Sequence, residues 1–259
     1  MATESFPLGI DVGGSGIKGA PVDLSRGEFH AERLRIDTPQ PATPQAVAAV
    51  IAQIVEHFDD VRSDSPIGVT IPGVVQQGVV KTAANIDKSW INCEIEKLLE
   101  DELQHDVVVM NDADAAGVAE IRHGAAKGRK GLVILATLGT GIGTAVINNG
   151  ILVPNSELGH IEVNGYDGET RAAASIKKKE NLSWEEFADR LTTYFRALEN
   201  LLWPDLIVVG GGVSKKPEKF LPLLDIRTPI IPATLANTAG IIGAAQLAAD
   251  TQAVSGKHR

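Results

Sequence analysis

The chain carries the same short unit twice. An apolar run, Phe6 to Val12, meets the turn Gly13-Gly14-Ser15-Gly16 and continues into a second apolar run, Ile17 to Val22. Leu132 to Leu138 repeats that layout, with Gly139-Thr140-Gly141-Ile142-Gly143 as the turn and Thr144 to Ile147 as the returning strand. Asp11 and Thr137, each at the end of its first strand, stand 126 residues apart. A strand, glycine turn and returning strand duplicated at that distance predict two similar α/β halves facing one another across a cleft. A chain of 259 residues has room for both.

The remaining patterns agree with an α/β chain. Glu28 to Ile36, Ile67 to Ile71, Val107 to Met110 and Leu206 to Val209 read as strands. Thr43-Pro44 reads as an N-cap with proline at the first helical position, opening an amphipathic helix to about Phe58. A second helix is expected from about Ala113 to Arg122. Ser183-Trp184-Glu185-Glu186 is a capping box before a helix with Phe187, Leu191, Tyr194, Leu198 and Leu201 on one face. A small-residue helix from about Leu235 to Ala249 closes the fold, and the tail after Thr251 is expected to fray.

Composition narrows the function. With 24 Lys and Arg against 33 Asp and Glu, the formal charge is −9, which argues against a nucleic-acid binder. A local basic strip for a smaller polyanion remains compatible with it. Cys93, the single cysteine, can form neither an internal disulfide nor a Cys-rich zinc site. No apolar run reaches the roughly 18 residues of a membrane span, and Met1-Ala2-Thr3-Glu4 lacks a basic secretory start. A cytoplasmic protein with no membrane partner is expected.

Several segments can carry chemistry. In Asp11-Val12-Gly13-Gly14-Ser15-Gly16-Ile17-Lys18 the glycines let the backbone approach an anion, and Lys18 can meet a phosphate as a point charge. Asp11 can hold Mg²⁺ through water. The spacing is neither a Walker loop nor a dinucleotide fingerprint, because a strand follows the turn. An ordinary glycine hairpin is the plain alternative, weakened by the copy at Thr137 to Gly143. Two such hairpins can grip two ends of a polyphosphate.

Asn111-Asp112 follows the strand Val107 to Met110, at the carboxyl end where α/β ligands bind. Asp112 can accept a proton from an attacking hydroxyl or cap the next helix. Glu157-Leu158-Gly159-His160-Ile161-Glu162 offers carboxylates and an imidazole to sugar hydroxyls, or forms a solvated turn; metal binding is the weaker reading, without cysteines and with one of the six histidines. Gly210-Gly211-Gly212 can lie against a nucleotide base or ribose, or simply turn the chain. Lys215 and Lys216 follow at once, and Lys177-Lys178-Lys179 forms a second basic cluster; either can be a solvated face.

Together these segments resemble the ROK family of sugar kinases (named for repressors, open reading frames and kinases). The likeness runs from about Leu8 to Ala249. It rests on Gly9 to Gly19, on Asn111-Asp112-Ala113-Asp114-Ala115-Ala116, on Leu138 to Gly143, and on Glu157-Leu158-Gly159-His160. Lys81 to Trp90 and Asn200 to Asp205 are similar to the actinobacterial branch that takes phosphate from inorganic polyphosphate.

The resemblance implies a two-lobed, actin-like (ribonuclease H-like) hexokinase fold with a central cleft. One lobe is expected over 1–111 and the other over 112–259, the final helix free to pack back on the first. It implies transfer of a terminal phosphoryl group from polyphosphate, and from ATP, to the 6-hydroxyl of glucose, with Mg²⁺ and in a homodimer. Asp112 matches the catalytic base. Gly73, Asn85, Asn111, Asp112, Glu157 and His160 match glucose contacts. Asp11, Gly13, Gly14, Ser15, Gly16, Lys18, Thr137, Gly139, Thr140, Gly141, Gly211 and Gly212 match phosphate or nucleotide contacts. Most relatives carry a zinc site of one His and three Cys after the Glu-x-Gly-His motif; Ile161 to Ser175 has no cysteine, so no zinc site is expected. Glu169, rather than Glu162, is then the expected last sugar contact. Lys215 and Lys216, with Lys81 and Lys88 behind them, are candidates for the polyphosphate tail. The competing readings are a strictly ATP-dependent glucokinase on the same fold, a sugar-responsive repressor, and a sugar-binding protein without catalysis, against which Asp112 and Lys18 count. The second would need a DNA-binding module, and about five residues precede the first strand.

Overall fold

The computed structural model describes residues 6–62, 64–83 and 86–255. The chain forms two compact units, Met1–Ala119 with Thr238–Arg259, and Glu120–Asn237.

The first unit is built on a sheet of β1 (Leu8–Val12), β2 (Ile17–Asp23), β3 (Glu28–Phe29), β4 (Leu34–Ile36), β5 (Ile67–Ile71) and β8 (Val107–Asn111). Its order is β3-β2-β1-β5-β8, with β4 also on β2. β1 and β2 are antiparallel, whereas β1, β5 and β8 run parallel, so three carboxyl ends share one edge. β6 (Val75–Gln76) and β7 (Val79–Val80) pair separately. Helix α1 (Pro44–His57) starts as its sequence predicts: Thr43 caps it by accepting from the Ala46 amide. Helix α2 (Ile95–Leu103) was not foreseen, and α3 (Asp112–Arg122) leaves directly from β8. Ile10, Ile17, Ile51, Ile54, Ile67 and Trp90 are fully buried between sheet and helices. Each such side chain contributes about 1.5–3 kcal/mol.

The final helix (Ala239–Ser255) lies on this sheet with backbone close to backbone. A Cβ added at Gly243 would sit 1.8 Å from the Ala115 carbonyl oxygen, so only glycine permits that approach. The small-residue composition of the helix follows from this contact.

The second unit repeats the design. Its sheet runs β11 (Ile151–Val153), β10 (Ile142–Asn148), β9 (Leu132–Leu138), β14 (Leu206–Gly210), β15 (Ile230–Pro232). β9 and β10 form an antiparallel hairpin, and β9, β14 and β15 are parallel, as in the first unit. A two-stranded ribbon, β12 (Glu162–Val163) and β13 (Tyr166–Asp167), leads into α4 (Glu169–Ala172), α5 (Ala174–Lys179) and α6 (Trp184–Leu202). The capping box at Ser183 and Glu186 is present with both of its hydrogen bonds. Phe187, Leu191, Phe195 and Leu198 bury the inner face of α6, but Leu201, expected on that face, is exposed at the last turn.

Three local expectations need correction. Glu28 to Ile36 is two short strands, because the backbone turns between Phe29 and Leu34. The second hairpin returns from Ile142, two residues early, since the tight turn needs only residues 139–141. The final helix continues past Thr251 to Ser255.

Candidate functional site

In the first unit the candidate residues gather at the carboxyl edge of the sheet. Cross-strand pairing sets Asp11 opposite Lys18, whose Nζ stands 3.4 Å from Asp11 Oδ2. Thr70, beside Asp11 on β5, donates its hydroxyl to Oδ1 at 3.0 Å. The turn closes through the Gly13 amide, which donates to Gly16 O at 3.1 Å, leaving Gly14 and Ser15 as an exposed tip. Arg35 Nη2 and the Thr38 hydroxyl hold that turn from outside, donating to Ser15 O at 2.8 Å and Gly13 O at 2.5 Å. Beside it lies a cavity of about 200 Å³ lined by Gly13, Gly14, Thr38, Ile86, Asp87 and Trp90.

The same edge carries Asn111 and Asp112. Asn111 is buried; its Nδ2 donates to Gly73 O at 3.2 Å, and its Oδ1 accepts from the amides of Ala113 at 2.8 Å and Asp114 at 3.2 Å. Asn111 therefore caps α3, the role that the sequence also allowed its neighbour. Asp112, half-buried at the first helical position, has Oδ1 2.8 Å from the Ala113 amide. Asn85 lies outside the described residues. Lys81 and Lys88 are exposed.

In the second unit Thr137 occupies the place of Asp11, and Gly143 stands opposite it where Lys18 stands in the first. This hairpin carries a hydroxyl in place of a charged pair. The Gly139 amide donates to Gly141 O at 3.0 Å, and Thr140 forms the exposed tip. Gly211, with φ +81°, backs onto Leu138 so closely that a Cβ would meet its carbonyl oxygen. Gly212 has open space around it, and Lys215 and Lys216 beyond are exposed.

Glu157, His160 and Glu169 belong to one electrostatic cluster. Glu169 accepts from the Ile142 amide at 3.0 Å, tying the first turn of α4 to the hairpin. His160 Nδ1 lies 2.9 Å from Asp167 Oδ2, so the ring donates there and presents Nε2 for other partners. Asp167 was missed by the sequence reading. The signal was Asn164-Gly165, both at positive φ, the residues that favour a two-residue hairpin turn. That turn brings Asp167 back beside His160. Glu162 is exposed and pairs across the ribbon with Asp167.

The Asp167 hydrogen bond, aided by the charges of Glu169 and Glu157, raises the His160 pKa. A raised value favours the imidazolium in the folded chain. Its stabilisation is complete below the ordinary imidazole value of about 6.5 and is lost as pH rises through the folded value. Asp167→Asn is expected to move the His160 titration, followed by NMR, to lower pH. An unchanged midpoint would show that Asp167 does not set it.

No group of three His, Cys, Asp or Glu side chains is arranged to hold a metal among the described residues. Asp11 offers one carboxylate, paired with the Lys18 ammonium and accepting from the Thr70 hydroxyl, and a single carboxylate suits only a hard cation that keeps most of its own water. No helix among the described residues is long and apolar enough to cross a membrane.

The chain is 53% identical to the polyphosphate glucokinase of Mycobacterium tuberculosis (strain CDC 1551 / Oshkosh) over 251 residues, 96% of this chain and 94% of that one. The inorganic polyphosphate/ATP-glucomannokinase of Arthrobacter sp. strain KM superposes with a TM-score of 0.90 at 51% identity, covering 96% of this chain and all of that chain. A ROK family glucokinase from Streptomyces griseus, solved with glucose and AMPPNP, shares the fold with a TM-score of 0.79 at 24% identity, covering 94% and 99%. The fold is thus the actin-like hexokinase fold that the repeated sheet order already describes. The family model described as ROK family matches residues 7–172, and the chain belongs to the ROK family.

Proposed function

We propose that this chain is a polyphosphate-dependent glucokinase, transferring the terminal phosphoryl group of inorganic polyphosphate, and of ATP, to the 6-hydroxyl of glucose. The observation that carries this reading is 53% identity to a polyphosphate glucokinase along 96% of the chain. The local chemistry supports it.

Asp112 is the general base: it accepts the 6-hydroxyl proton as the new P–O bond forms. Asn111, by capping α3 and holding Gly73 O, fixes the backbone from which Asp112 projects. Glucose hydroxyls are met by Gly73, Asn85, Asn111, Glu157, His160 and Glu169. Lys18 and the amides of residues 14–16 and 140–141, which the internal bonds of Gly13 and Gly139 leave facing outward, draw charge from the transferring group, so catalysis is mainly positioning and electrostatics. Gly211 and Gly212 serve the nucleotide when ATP is the donor. Asp11 would hold Mg²⁺ through water, and the ion supplies neutralisation of neighbouring phosphate oxygens.

If both donors use the same phosphate-binding turns, polyphosphate inhibits ATP-driven glucose phosphorylation competitively, raising the KM for ATP without changing kcat. This is measured with radiolabelled ATP, whose product is distinguishable. Non-competitive inhibition, or none, would contradict a shared donor site.

A further inference from the structure

The second basic cluster, Lys177-Lys178-Lys179, has so far no role. Helix α5, which carries it, is fastened to the second glycine hairpin. The Ser175 amide donates to Gly139 O at 3.0 Å, and its hydroxyl donates to Thr140 O at 2.6 Å. Lys178 and Lys179 lie three and four residues further on, so they share the helix face of Ser175.

The three lysines are not equivalent. Lys177 is engaged: its Nζ donates to Leu182 O at 2.6 Å and lies 4.4 Å from the centre of the Trp184 ring. Lys178 and Lys179 are exposed, and neither makes an ion pair among the described residues. The neighbouring acid, Glu180, is taken by Arg190 at 2.6 Å. Gly211, packed on Leu138 of the same hairpin, leads to exposed Lys215 and Lys216. The fold therefore fastens two basic segments, remote in sequence, to one glycine hairpin in a chain of net charge −9.

Given the donor proposed above, on which this inference rests, we infer that Lys178 and Lys179 form a distal subsite for the polyphosphate chain. A phosphate polymer has no base or ribose to recognise. Its tail is held by ammonium groups and by the release of its own counterions. A donor as short as tripolyphosphate, or one with a nucleoside at its end, makes less use of such a subsite.

The test is steady-state kinetics of Lys178→Ala/Lys179→Ala with long-chain polyphosphate, tripolyphosphate and ATP at saturating glucose. The KM for long-chain polyphosphate is expected to rise about three- to tenfold, as for two exposed ionic contacts. The KM values for tripolyphosphate and ATP should stay within about twofold, and the long-chain KM should depend less steeply on salt. Lys178→Arg/Lys179→Arg should restore the wild-type value. An unchanged long-chain KM, or an equal rise for all three donors, would overturn the subsite while leaving the donor assignment intact. A wild-type enzyme that uses ATP but no polyphosphate would overturn the donor assignment and the subsite with it.

Discussion

Asp112→Asn is expected to lower kcat by about 10²- to 10⁴-fold, the usual cost of losing a general base. The KM for glucose should change no more than a few-fold. The amide keeps the size of the carboxylate and most of its hydrogen-bonding capacity, yet cannot take the proton from the 6-hydroxyl. The structure sharpens this expectation, because Asn111 already caps α3 through the amides of Ala113 and Asp114. Loss of Asp112 should therefore leave the helix in place, and the far-ultraviolet circular dichroism unchanged. Near-normal turnover in a folded variant would mean that Asp112 is no base.

The second large effect concerns stability. In Gly243→Val the new Cβ would sit 1.8 Å from the Ala115 carbonyl oxygen and 2.4 Å from its carbon. These are backbone atoms, so no side-chain rotation relieves the clash. The final helix must withdraw from α3 and from the sheet that carries Asp11 and Asn111. Overpacking of this kind costs roughly 3 kcal/mol or more. A fall of several degrees in Tm, or insoluble protein, is expected. Gly212→Ala, with nothing within 4 Å of the added carbon, is the control and should leave Tm nearly unchanged. A Gly243→Val protein as stable as wild type would contradict the close packing described.

Much of this architecture was legible because it is written in short-range signals. The two glycine hairpins, the Thr43-Pro44 start of α1 and the Ser183 capping box each place their cues within a few residues. What escaped depends on how a turn or an uncapped segment folds, which single residues do not show. Asp167 matters because a hairpin folds it onto His160, and nothing about an isolated Asp announces that. Helix α2 was overlooked although Ile95, Leu98, Leu99 and Leu103 follow helical spacing, because no capping residue marks its start: Glu94 makes no side-chain cap hydrogen bond. The competition between capping and catalysis at Asp112 could not be decided from position. Only the hydrogen bonds of Asn111 show which residue caps. Lys178 and Lys179 are exposed, as a solvated run would be; what the sequence did not show is that Ser175 ties their helix to Gly139 and Thr140.

The central claim is tested most directly by phosphorus NMR of a nucleotide-free mixture of the protein, glucose, Mg²⁺ and long-chain polyphosphate. The account predicts that a glucose 6-phosphate monoester signal grows as the polyphosphate end groups change, and that it vanishes when glucose is omitted. Polyphosphate left intact beside unmodified glucose, with a protein that is active on ATP, would contradict it.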